Sequence, residues 1–139
     1  MVIWNAVIVL GVILGLYELI AIHSDLNFRG SHWIGHGFHS VILMMVALFA
    51  VFNWPEFLDV TTLATRNIPL ISSIWIGRIA IGLILNFKMH AVSKAVHGQL
   101  AARGMAEHWF HTLLISGLVV VAPLYWPFIE PLLPGWLLF

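Results

Sequence analysis

Eight histidines carry most of the ligand chemistry in this chain: His23, His32, His36, His39, His90, His97, His108 and His111. Imidazole is the commonest metal ligand and titrates near neutral pH. Side chains at i, i+4 and i+7 share one helical face. His32, His36 and His39 have that spacing, as do His90, Lys94 and His97. His108 and His111 are three apart, Glu107 lies four before His111, and Glu18 and Asp25 are seven apart. Bundles of four helices build metal sites from carboxylates and imidazoles that project inward from facing helices. The expected ligand set is therefore Glu18, Asp25, His32, His36, His39, His90, His97, Glu107, His108 and His111, enough donors for two metal ions. Cysteine is absent, which excludes thiolate sites and leaves iron as the expected metal, with zinc or copper as alternatives. A haem or chlorin is the alternative guest, with His39 and His111 as axial pair and Arg78 or Lys94 near its carboxylates. Taken alone, His23 reads as an interfacial residue.

The elements that must position these groups are apolar. Of 139 residues, 61% are hydrophobic and 9% charged, where a soluble domain carries about a quarter charged. The formal net charge of zero gives no basic footprint for nucleic acid. A helix needs about 20 apolar residues to cross the hydrocarbon layer, and four segments qualify: 2–22, 38–54, 68–87 and 109–128. The expected fold is all-α, a single domain over 1–139. It is an integral membrane four-helix bundle of two helical hairpins, with histidine-bearing helix extensions on one side. The first residues lack a basic n-region and a cleavage site, so the first segment reads as a retained span. Connections 23–37 and 88–108 carry Arg29, Lys88, Lys94 and Arg103, whereas 55–67 carries Arg66 with Glu56 and Asp59. Positive charge near span ends marks the cytoplasmic side, which puts the histidines there and both termini outside. The tail 131–139 reads as an interfacial cap.

An internal repeat supports the paired arrangement. His36-Gly37-Phe38-His39-Ser40 matches His108-Trp109-Phe110-His111-Thr112 at an offset of about 72 residues, and Trp54-Pro55 matches Trp126-Pro127. The same offset puts Glu18 on His90 and Asp25 on His97. Duplicated membrane halves place their site where the halves meet. Glu18 lies inside the first apolar run, where a charged carboxylate costs about 2.5–3.5 kcal/mol on insertion scales. A metal or a protonated imidazole would offset that. Arg78 falls within the third run and cannot shed its charge. Asn5, Asn53 and Asn86 read as bonds between helices, and Gly11, Gly15, Gly77, Gly82 and Gly117 as close-packing sites.

The boxes resemble those of the histidine-box membrane hydroxylases and desaturases. His32-Trp33-Ile34-Gly35-His36 is similar to an HxxxH box. The sequences around His36/His39 and His108/His111 resemble shortened HxxHH boxes, in which Ser40 and Thr112 stand for the last histidine. Residues 22–28 resemble a segment found before a late box. The resemblance implies a di-iron centre at the cytosolic face, O2-dependent hydroxylation or desaturation of an apolar lipid-like substrate, and electrons from a separate redox protein. Two other functions compete with it. One is a haem- or chlorin-binding subunit of a larger electron-transfer or light-harvesting membrane complex; the other is a metal or proton transporter. Membrane lipid is an expected partner in every case.

Overall fold

The apolar runs form four helices, which satisfy the backbone hydrogen bonds within each run. The computed structural model describes residues 2–24, 33–66, 68, 70–97 and 109–138, with side chains at 2–21, 38–66, 68, 70–90 and 110–138. Helix α1 spans Asn5–Ser24, α2 Trp33–Val60, α3 Ile74–His97 and α4 Trp109–Ile129. Two 3-10 turns, Glu130–Leu132 and Gly135–Leu137, follow α4 in place of a further long helix. Regular structure is entirely helical among the described residues.

Two boundaries depart from the sequence expectation for physical reasons. The second segment was expected to stop at Trp54, before Pro55, yet α2 runs on to Val60. Proline costs a helix the bond from its missing N–H to the carbonyl four residues earlier. Here that carbonyl, on Val51, receives Nε of Arg78 from α3 at 3.2 Å. The third segment was expected from Ile68, yet α3 begins at Ile74. The amide of Ile76 donates to the Ser73 hydroxyl oxygen at 3.4 Å, a weak cap that starts the helix there. Arg78 consequently sits in the second turn of α3 rather than in mid-span.

Among the described residues, two helices are long and apolar enough to cross a membrane, through the stretches Phe38–Val60 and Phe110–Leu132. Only 39% and 33% of their most apolar windows are buried, so most of that apolar surface faces outward. The apolar stretch Asn5–Ala21 of α1 is shorter. Ile20, Phe38, Val46, Ile84, Phe87, Phe110 and Phe128 are all exposed on the outside of the bundle.

Helix α2 is the hub, packing on α1, α3 and α4, while α3 packs on α4. Met44, Leu48, Val51, Ile115 and Val119 form the centre of the core. Gly15 lies directly against the Val41 backbone and Gly11 against Met45, so α1 closes on α2 only because those positions lack a Cβ. Gly82 meets Val120 in the same way across α3 and α4. The buried faces repeat as well. Leu10, Leu14 and Glu18 on α1 match Gly82, Asn86 and His90 on α3, and Ser40, Met44 and Ala47 on α2 match Thr112, Ser116 and Val119 on α4.

Candidate functional site

Glu18, Asn86, His90, Thr112 and Ser116, all buried, gather around the first two turns of α4. Glu18 is 3% exposed in the fourth turn of α1, and its Oε2 lies 3.0 Å from Nε2 of His111. The backbone around it explains the aim. Gly15 lets α1 approach α2, and the Ser40 hydroxyl donates to the Gly15 carbonyl at 3.1 Å, fixing α1 along its axis. Glu18, three residues on, then projects past α2 toward α4. The ring of Tyr17 stacks on His111 with centroids 5.9 Å apart and 28° between planes.

The neighbouring residue of α4 is held from α3. Oγ1 of Thr112 and Nε2 of His90 are hydrogen-bonded at 2.9 Å. Nδ2 of Asn86 donates to the same Thr112 oxygen at 3.1 Å and reaches Oγ of Ser116 at 3.5 Å. Ser116 returns its hydroxyl hydrogen to the Thr112 carbonyl at 2.8 Å, the back-bonding that lets a hydroxyl sit inside an apolar helix. Thr112 is fully buried, and His90, Asn86 and Ser116 nearly so. Consecutive helical residues point about 100° apart, so α4 is gripped at 111 from one side and at 112 from the other.

The structure brings together some of the expected ligands. Glu18 and His111 form a pair, and His90 stands on the adjacent residue. His39 is exposed on α2 and is not joined to them. His36 and His97 belong to α2 and α3, with side chains outside the described set; Asp25, His32, Glu107 and His108 lie outside the described residues altogether. Among the described residues no group of three or more His, Cys, Asp or Glu is arranged to hold a metal. Arg78 is at the other end of the bundle. Its guanidinium lies 5.6 Å from the centre of the Trp75 ring, and its twelve-residue separation from His90 is about 18 Å of helix rise.

The donor chemistry of Glu18 and His111, one carboxylate and one imidazole without thiolate, fits two ligands of an iron or zinc ion. Any further ligands of such an ion would have to come from the other histidines. Sequence reasoning did not single out Tyr17 and Ser116, whereas Asn86 was expected to bond between helices and does so, from α3 to Thr112 of α4. The available signal was a set of polar residues four apart in apolar runs, Asn86/His90 and Thr112/Ser116, which places each pair on one face.

At the opposite end the helices are tied again. Nδ2 of Asn5 donates to Oε1 of Glu130 at 3.1 Å, and the Ile3 amide donates to Oδ1 of Asn53 at 2.8 Å. Between these ties a cavity of about 750 Å³ opens beside Trp4, Ile8 and Trp126. Comparisons with protein-family models, curated proteins and solved structures return no match.

Proposed function

We propose that the chain is an integral membrane protein whose four helices cross the bilayer as two hairpins. Its histidine-bearing end binds transition-metal ions, iron foremost, for O2-dependent oxidation of an apolar lipid-like molecule. The reading rests on the Glu18–His111 pair. An acid inside an apolar segment is expensive, and a buried acid–base pair is weak support for stability. As ligands of a cation, both groups keep their place with a chemical return. Bound iron would supply the oxidising chemistry by using O2 with electrons from a redox partner. The chain's own contribution is to position the carboxylate and imidazole through Gly15, Ser40 and Tyr17, and to surround them with an apolar wall. The outward apolar surface of α2 and α4 supports the membrane location, and the bases of 23–37 and 88–108 support a cytoplasmic site.

A second reading, transport of protons or metal ions, is favoured by one observation. The hydrogen bonds from His90 through Thr112 and Asn86 to Ser116 carry polarity a little over one turn inward from the Glu18–His111 level. Elemental analysis with an optical spectrum separates the readings. The metal reading expects iron in the purified protein, reduced several-fold by Glu18→Gln and by His111→Ala. A metal-free protein whose proton flux in vesicles is abolished by Glu18→Gln would support the second reading instead.

A further inference from the structure

The seam between α2 and α3 is hollow. A groove of about 260 Å³ runs along it, walled by Leu43, Val46 and Ala50 from α2 and by Ile81, Ile84 and Lys88 from α3. Its lining is apolar apart from Lys88, which stands at the histidine end of the groove and is exposed. His39 lies on the same face of α2 as Leu43, Val46 and Ala50, at spacings of four, seven and eleven, and is exposed one turn beyond Leu43. The groove thus has an aliphatic floor and an ammonium at one mouth. At the repeat offset Lys88 corresponds to Leu16, so the ammonium marks this seam and not its counterpart between α1 and α4.

We infer that this groove holds one acyl chain of an anionic phospholipid from the leaflet at the histidine end, with Lys88 at the headgroup phosphate. The small side chains of Ala47 and Ala50 leave room for a hydrocarbon chain beside α2. An apolar trough alone accepts the tail of any lipid. The sign of the charge at its mouth selects the headgroup, and a lysine lays its stem along apolar surface while raising its ammonium toward the interface. A base near the membrane surface attracts anionic lipid by an amount equivalent to about a fivefold change in affinity. The inference uses neither Glu18 nor His111 and is independent of the metal reading.

The test uses the full chain in detergent, offered dioleoyl phosphatidylglycerol, dioleoyl phosphatidylcholine or oleate, with bound lipid counted by native mass spectrometry. Phosphatidylglycerol should be retained at one per chain, about fivefold better than phosphatidylcholine. Lys88→Ala should lower its retention to the phosphatidylcholine level, Lys88→Arg should keep it, and Ala50→Trp should reduce retention of both lipids by filling the trough. Equal retention of the two phospholipids would overturn the inference. So would an unchanged preference in Lys88→Ala, stronger retention of oleate than of phosphatidylglycerol, or exclusion of all lipid by a second copy of the chain.

Discussion

Arg78 supplies the hydrogen bond that Pro55 removes. The Val51 carbonyl would have accepted from residue 55 and instead accepts from Nε of Arg78, across two helices, at 3.2 Å. The charged residue that looked costly in an apolar run thus lets α2 continue past a proline, and stacking over Trp75 holds its guanidinium in place. Arg78→Met should destabilise the protein by about 1–3 kcal/mol, the range for a lost bond to a charged donor with a carbonyl left unsatisfied. In a Pro55→Ala background, where residue 55 regains its N–H, the same substitution should cost less than half as much. A double-mutant cycle by reversible unfolding in mixed micelles reads this coupling; additive effects would contradict it.

The Thr112 hydroxyl is the hydrogen-bond partner that His90 and Asn86 of α3 share on α4. Thr112→Val preserves shape and removes the oxygen that both His90 and Asn86 use, so it should cost about 1–3 kcal/mol. Thr112→Ser should retain most of the stability. The ratio of the two effects in the same unfolding assay separates the hydroxyl from the methyl.

Close approach of backbones makes a contrasting pair of predictions. Any side chain at Gly15 meets the backbone of Val41, which cannot rotate away, so Gly15→Val should part α1 from α2 and lower the melting temperature sharply. Gly117 has nothing within 4 Å of an added Cβ. Gly117→Ala should therefore be neutral or stabilising by up to about 1 kcal/mol through helix propensity. The thermal melt of each variant checks both.

A strained turn offers a gain. Thr62 follows α2 with φ of 57°, a left-handed conformation that costs a non-glycine residue roughly 1–2 kcal/mol. Thr62→Gly should recover part of that, offset by the greater freedom glycine has when unfolded. A rise in melting temperature is the expected result.

The sequence disclosed the helices better than their ends. Segment 109–128 anticipates α4 to within one residue of Ile129, because no Asp, Glu, Lys or Arg interrupts the run. The extent of α2 was not legible, since the donor that rescues Pro55 comes from Arg78, 27 residues away from the carbonyl it serves. Glu18 and His111 were each recognisable as chemically unusual, but no spacing rule joins residues 93 apart. The positions the repeat aligned, Glu18 with His90 and Ser40 with Thr112, are buried alike. The repeat did not carry over to His39 and His111. His111 meets the acid of α1, whereas the residue equivalent to that acid, His90, bonds to Thr112 and leaves His39 exposed.

Metal bound to the purified full-length protein, counted by elemental analysis alongside its optical spectrum, tests the central proposal most directly. The Glu18–His111 account predicts stoichiometric iron in the parent chain and a several-fold loss in both Glu18→Gln and His111→Ala, with helix content unchanged. Iron content that is the same in all three proteins would contradict it.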